Sequence, residues 1–300
     1  MQPALIALET TFNASILTKI DDTAFEQQQL ELWIKRDDLL HPVISGNKWR
    51  KLKYILNHAL SIGCNTLVSM GGAYSNHLHA LAYAGQALGL QTTGFIRGER
   101  PRILTPTLLD MQRWGMELTF VSRSDYRQLR HYQNWHDLPD LNPGQYWIPE
   151  GGAQNLALAG VAELVHDIAI PYDILCAPCG TGTTLAGMIK AAAPSTRIIG
   201  FAALKNAAYL RADIGKLLDS PQHNWQLNTD YHFGGFAKTN PELIAFINGF
   251  EAKTGIPIEP VYTGKMLYAL YDLIAQHHFK PGLKIIAVHT GGLQGKRGFS

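Results

Sequence analysis

Along the chain, short runs of consecutive apolar residues alternate with longer stretches in which apolar positions recur every three or four residues. The short runs have strand length and many β-branched members. The longer ones carry the 3.6-residue period of a helix that buries one face. The pattern predicts strands at 32–36, 66–70, 91–97, 117–121, 173–176, 197–202 and 284–289. It predicts helices from 45–51 to about 60, over 76–88, 103–114 and 124–135, from 183 onward, and over 241–253 and 265–276. Gly89 and Gly115 follow two of these helices, where a left-handed residue ends a helix at least strain.

Repeated β-α-β alternation predicts an α/β fold, because a parallel strand pair needs a crossover long enough to hold a helix. Two open, mostly parallel twisted sheets flanked by helices are expected, with the functional site in the cleft between domains, where ligand pockets tend to form. Pro, Gly and Asn cluster over 137–152, which marks that stretch as a crossing between domains. The division expected is a large domain of 1–47 and 150–300 and a small α/β domain of 48–149.

Composition narrows the function classes. At 300 residues with 46% hydrophobic and 17% charged, the chain buries a core and is not a disordered segment. A formal net charge of +2, without a run of five or six basic residues, gives no nucleic-acid footprint. The Arg-rich stretch 126–133 reads as a solvated helix face. No basic segment precedes an apolar core at the N-terminus, and no apolar run has membrane-spanning length, so no membrane partner is expected. The three cysteines, Cys64, Cys176 and Cys179, are too sparse for a disulfide framework and point to a reducing, cytoplasmic setting.

Five stretches carry candidate chemistry. Ser45-Gly46-Asn47-Lys48-Trp49-Arg50-Lys51 opens a helix. The positive end of the helix dipole disfavours a second cation there, which favours the neutral, nucleophilic form of the Lys48 amine. Taken alone, the stretch reads more readily as a surface basic cluster. Met70-Gly71-Gly72-Ala73-Tyr74-Ser75-Asn76-His77 follows a strand, at the end where open α/β sheets bind ligands. Ser75 and Asn76 present a hydroxyl and an amide there, or simply cap the helix. His77 and His79 stand two apart on a helix and point away from each other, so they make no metal pair, and no metal is expected. Ala177-Pro178-Cys179-Gly180-Thr181-Gly182-Thr183-Thr184 combines strand, Gly/Thr turn and helix start, a cradle for a phosphate. It lacks the Walker lysine and has Leu185 where the dinucleotide fingerprint requires a third glycine. Cys176 and Cys179 fit a redox C-x-x-C spacing, but a redox pair needs its first cysteine exposed at a helix start, whereas Cys176 ends a strand. Glu259-Pro260-Val261-Tyr262-Thr263-Gly264-Lys265 and His289-Thr290-Gly291-Gly292 place hydroxyls and glycines at element boundaries and are uninformative alone.

Together the G-N-K-x-R-K, S-N-H, P-V-Y-T-G-K and H-T-G-G stretches resemble the D-cysteine desulfhydrase and 1-aminocyclopropane-1-carboxylate deaminase family of fold-type II pyridoxal-phosphate enzymes. The resemblance runs in order from about Ile34 to Gly292. It implies that Lys48 holds pyridoxal phosphate as a Schiff base and that Lys51, one turn on, faces the phosphate. It implies that Gly180, Thr181, Gly182, Thr183 and Thr184 form the phosphate loop, with Thr290 a further cofactor contact. Asn76 would bond the ring's 3'-oxygen and Thr263 would face the pyridine nitrogen. Ser75 and Tyr262 would join Lys48 as catalytic residues. Ser75, Asn76, His77, Tyr74 and Phe236 would line the substrate pocket, and a homodimer acting on a small amino acid is the family expectation.

Departures from the family pattern bear on the reaction. The deaminase branch resembles Y-E-G-K where this chain reads Tyr262-Thr263-Gly264-Lys265, and a second tyrosine of the family falls near Phe236. The group opposite the ring nitrogen sets how strongly the cofactor withdraws electrons. A threonine there favours expulsion of a thiol over opening of a cyclopropane. The expected function is therefore β-elimination from a small D-amino acid such as D-cysteine, giving pyruvate and ammonia. The alternatives are aminocyclopropane carboxylate deamination to 2-oxobutyrate, and cofactor binding without turnover. Tyr74 stands where the family has glutamine, and the phosphate loop reads G-T-G-T-T where G-S-G-G-T is usual. Tyr74 and Phe236, as pocket residues, leave the exact substrate open and cofactor binding untouched.

Overall fold

A computed structural model describes residues 1–299. In chain order the first elements are α1 (Pro3–Glu9), β1 (Leu17–Ile20), α2 (Thr23–Glu26), β2 (Glu31–Lys35), α3 (Asn47–Ser61), β3 (Thr66–Gly71) and α4 (Asn76–Leu88). Next come β4 (Gln91–Arg97), α5 (Pro106–Arg113), β5 (Met116–Val121), α6 (Arg123–Leu129), β6 (Gln145–Ile148) and α7 (Leu156–His166). The last are β7 (Ile174–Cys179), α8 (Thr183–Ala191), β8 (Arg197–Ala202), α9 (Leu210–Lys216), β9 (Trp225–Asn228), α10 (Pro241–Thr254), α11 (Thr263–Ala275) and β10 (Lys284–Val288).

The chain divides into two compact units. The first comprises Met1–Asn13, Leu40–Gly160 and the chain from Gln294; the second comprises Ala14–Leu39 and Val161–Leu293. These bounds differ from the expected ones: residues 1–13, 40–47, 150–160 and the chain from 294 belong with the unit that contains α3 and α4. The polar stretch 137–152 is not a crossing but holds β6, an edge strand of that unit's sheet. Its turn residues mark the loops around a four-residue strand, too short to show a period.

In the first unit the strands lie in the order β5-β4-β3-β6, all parallel. All six residues of β3 are buried because both of its faces are covered. Leu67 joins a core with Leu52, Ile55 and Leu56 of α3 and Leu81 of α4. Val68 and Met70, on the other face, pack with Tyr126 of α6 and Trp147. The second unit's sheet runs β1-β2-β10-β7-β8-β9, parallel except for the β1–β2 pair. Its core gathers Ile34, Ile174, Ile199 and Ile285 from strands with Leu243 and Ile247 of α10 and Leu267 and Leu270 of α11.

Helix boundaries follow local chemistry. Ser75 caps α4 by accepting from Leu78 N, and Gly89 closes it at φ 68°. Thr105 caps α5 with Pro106 at its first position, so the helix starts later than the expected 103. The helix expected over 124–135 stops at Leu129. Beyond it the backbone serves other partners, with Tyr132 O accepting from Trp147 Nε1 and Trp135 stacking on Tyr146.

Both sheets have a switch point, where strand order reverses and loops diverge at the carboxyl ends. In the first unit it lies between β3 and β6, in the second between β7 and β10. Three of the sequence motifs, 70–77, 177–184 and 289–292, stand at the ends of β3, β7 and β10 beside these two places.

Candidate active site

In the first unit the loop after β3 carries Tyr74, Ser75 and Asn76 into the start of α4. Gly71 is required there: a side chain would stand within 2.6 Å of Ser75 Cβ and collide with its hydroxyl. Lys48 is the second residue of α3 and half-buried; Lys51, one turn on, is buried and donates from Nζ to Gly151 O in the loop after β6 at 3.1 Å. Burial drives the His77 imidazole well below the ordinary histidine range, and the charges of Lys48 and Lys51 push the same way. The three side chains therefore form one electrostatic group.

The proton on His77 can be placed. Ser69 Oγ spends its hydrogen on Ile148 O at 2.7 Å, so His77 Nε2, 2.9 Å away, must donate to it. Nδ1 is then a buried acceptor with no hydrogen-bond partner among the described residues. The ring is 3% exposed, so this expected substrate contact is turned into the unit's interior. Tyr74 is exposed, with its ring against Gly298.

In the second unit the glycine turn follows β7 and opens α8. Gly182 caps that helix in the left-handed region at φ 79°, and the Thr181 and Thr183 hydroxyls lie 3.1 Å apart. The Tyr262 ring covers Gly180, where a side chain would come within 3.1 Å of Tyr262 Cε1. Phe236 meets Tyr262 edge-on, with ring centroids 6.0 Å apart. At the neighbouring strand end, His289 Nε2 donates to Pro257 O at 2.8 Å and its Nδ1 accepts from Gly291 N at 3.1 Å. That neutral ring, held low in pKa by burial against the pull of Asp38, shapes the turn carrying Thr290.

Glu259 organises the start of α11. Its buried carboxylate accepts from Val261 N at 2.6 Å, Tyr262 N at 3.0 Å and Thr263 N at 2.6 Å. Burial pushes its pKa up, opposed by those N–H groups and by Lys265. The helix start thus presents Thr263, whose Oγ1 is fully buried and has no hydrogen-bond partner among the described residues. Lys265 Nζ donates to His232 O at 2.9 Å and Gly235 O at 2.8 Å, fastening the loop that carries Phe236. Burial lowers its pKa to about 8, against the attraction of Glu259.

Cys176 and Cys179 are both buried within β7, three apart and so on opposite faces of the sheet. A disulfide between them is not possible without breaking the strand, and burial raises the Cys176 thiol pKa. Among the described residues no cluster of three or more His, Cys, Asp or Glu could hold a metal ion, and no helix is long and apolar enough to cross a membrane.

Glu259 and Lys265 lie in a stretch that the sequence left uninformative, and Gln294 carried no signal at all. An acidic residue just ahead of a predicted helix start was the available clue to Glu259.

Two mostly parallel α/β sheets, one unit with a hydroxyl-lined glycine turn and the other with a lysine-rich helix start, are what a phosphate-cofactor enzyme needs. Residues 17–291 match the family model described as pyridoxal-phosphate dependent enzyme, and the chain belongs to that family, an enzyme with pyridoxal phosphate as cofactor. It is 31% identical over 281 residues to a Pyrococcus horikoshii protein with a provisional 1-aminocyclopropane-1-carboxylate deaminase name, covering 88% of this chain and 85% of that one. It is 28% identical over 286 residues to a D-cysteine desulfhydrase of Klebsiella pneumoniae, covering 87% of each. A crystal structure of a deaminase homologue superposes with a TM-score of 0.82 at 27% identity, over 99% of this chain and 97% of that one.

The residues present fit this cofactor. The turn offers backbone N–H groups and hydroxyls suited to a phosphate, α3 offers an amine, and Thr263 Oγ1 is a buried hydroxyl lacking a partner.

Proposed function

We propose that this enzyme is a lyase that removes the β-substituent and the amino group from a small D-amino acid such as D-cysteine, releasing pyruvate and ammonia. The observation that carries the reading is Thr263, a fully buried hydroxyl without a hydrogen-bond partner among the described residues. In this reading it faces the ring nitrogen, where a carboxylate would give a stronger electron sink. Phe236 beside Tyr262 supports it, because the position next to the tyrosine has no second hydroxyl for ring-opening acid chemistry.

When bound, pyridoxal phosphate supplies the electron sink for a negative charge at the substrate's Cα. The chain's own residues do the rest in this reading. Lys48 binds the cofactor and then takes or returns the Cα proton. The 180–184 turn and Lys51 hold the phosphate, Asn76 donates to the ring's 3'-oxygen, and Thr263 and Thr290 are further cofactor contacts. Tyr262 and Ser75 move protons at the leaving group, which requires both reach and a suitable pKa. Tyr74, Ser75, Asn76 and Phe236 shape the substrate pocket; His77, enclosed in its unit, acts there by bracing the start of α4. A reducing, cytoplasmic compartment, supported by the sparse and buried cysteines, and a homodimer, taken from the family resemblance alone, complete the proposal.

The test is a panel of D- and L-amino acids assayed for the ketoacid released. Pyruvate from D-cysteine is expected. Predominant 2-oxobutyrate from aminocyclopropane carboxylate would establish the deaminase instead, a reading that the Pyrococcus relative favours. Visible cofactor absorbance without any ketoacid would leave a binding protein. Lys48→Ala should abolish both absorbance and turnover.

A further inference from the structure

The segment from Gln294 returns to the first unit and meets the start of α4. Four contacts of the Gln294 amide define its polar chemistry. Thr107 Oγ1 donates to Gln294 Oε1 at 2.6 Å, and Arg297 Nη2 stands 3.1 Å from the same oxygen. A guanidinium can only donate, so the atom it faces must be the amide oxygen. Gln294 Nε2 therefore points the other way, toward Asn76 Oδ1 and, at 3.4 Å, Tyr74 O.

The chain of constraint starts further back. Arg297 Nη1 is paired with Asp110 Oδ2 at 2.7 Å, and Asp110 also meets His79 Nε2 at 3.3 Å. Arg297 Nε donates to Gln294 O at 3.1 Å, which fixes the guanidinium against the same short turn. Gly295 brings the backbone close to the Asn76 amide, its side-chain position lying 3.8 Å from Oδ1. An isolated asparagine amide can flip at little cost. Here one orientation is selected, because a flipped amide would set Asn76 Nδ2 against Gln294 Nε2, donor facing donor.

We infer that Gln294 is a positioning residue that locks the Asn76 amide with Oδ1 occupied and Nδ2 presented as the donor to the cofactor's 3'-oxygen. The inference rests on the reading above that Asn76 binds the cofactor ring. It assigns the C-terminal turn a task in the site: the Asp110–Arg297 pair orients Gln294, and Gln294 orients Asn76. The 3'-oxygen carries negative charge in its bound form, so a donor stabilises it and an acceptor repels it.

The experiment is a double-mutant cycle on the full chain, read as the dissociation constant for pyridoxal phosphate from its visible absorbance, with thermal unfolding as a check on folding. Asn76→Ala should weaken binding about tenfold or more, the scale of a hydrogen bond to a charged acceptor. Gln294→Leu should cost about tenfold when Asn76 is present and under about twofold on the Asn76→Ala background. Gln294→Glu keeps the acceptor toward Thr107 and Arg297 and so keeps the turn folded if the leucine variant does not. Its second oxygen forces Asn76 to flip, and binding should fall at least as far as in Gln294→Leu.

Equal losses from Gln294→Leu or Gln294→Glu in both backgrounds would overturn the inference, as would wild-type affinity in Gln294→Glu. No binding by the wild-type chain would overturn the functional reading and the inference with it. Tight binding indifferent to Asn76→Ala would overturn the inference while leaving the cofactor in place.

Discussion

At Gly71 the backbone passes directly beneath Ser75, and the hydroxyl that caps α4 occupies the space of a side chain. Gly71→Ala should displace Ser75, lose that cap and cost about 1–3 kcal/mol, the usual range for overpacking. Urea unfolding measures the cost, and turnover should fall further than stability does if Ser75 moves protons. The buried histidines make a second prediction. His77, His79 and His289 are all held below their ordinary value of 6.5, burial being the main cause in each. As pH falls through 6.5 the unfolded chain takes up these protons before the folded one, so stability present above pH 6.5 is lost on acidification. Each group contributes a slope approaching about 1.4 kcal/mol per pH unit. Thermal unfolding between neutral and mildly acidic pH should show the decline, and His77→Gln, which keeps a donor for Ser69, should flatten it.

At the scale of elements, the start of α11 and the loop before it act as one piece. Glu259 replaces an ordinary side-chain cap with a buried carboxylate that serves three backbone N–H groups. Glu259→Ala leaves those donors and the Lys265 charge uncompensated, and should cost about 2–4 kcal/mol. Hydrogen exchange at Tyr262 and Thr263 should quicken ahead of the rest of the helix. Lys265 closes the other side: Phe233 and Ala237 sit at φ 51° and 53°, a left-handed backbone that needs outside support. Lys265→Met should loosen 232–238, release Phe236 from Tyr262 and raise KM more than it lowers kcat. Equal exchange rates over 232–238 in both proteins would refute this role.

For the whole molecule, ligand linkage and thiol chemistry give readouts that no single element provides. A cofactor bound only by the folded chain should stabilise it by about 2.7 kcal/mol at a hundredfold excess over Kd. Lys48→Ala should lose most of that gain while keeping the unliganded stability. All three cysteines are buried thiols outside any disulfide, so a thiol reagent should label none rapidly in the native protein and all three after denaturation. Rapid native labelling of Cys176 would contradict its place inside β7. A Cys176→Ala, Cys179→Ala double variant should keep its turnover and lose only packing.

The sequence by itself determined the elements whose signals are local. Helix α4 could be read to both ends, 76–88, because Ser75 and Gly89 flank an unbroken period. Strand β4 had its full length in the pattern, and the glycines before α8 announced the turn that opens that helix. Strands β1, β6 and β9 escaped notice, being four residues long and defined by their neighbours' hydrogen bonds more than by any period. Motif identity likewise singled out Lys48, Asn76 and Thr263 for the roles proposed above, since each sits in a run of residues with its own signature. Only the tertiary structure could show Lys265 fastening a loop thirty positions upstream, or Gln294 turning an amide more than two hundred positions before it. Such partners leave no mark in either neighbourhood, because a hydrogen bond constrains where two atoms meet and nothing about the sequence between them.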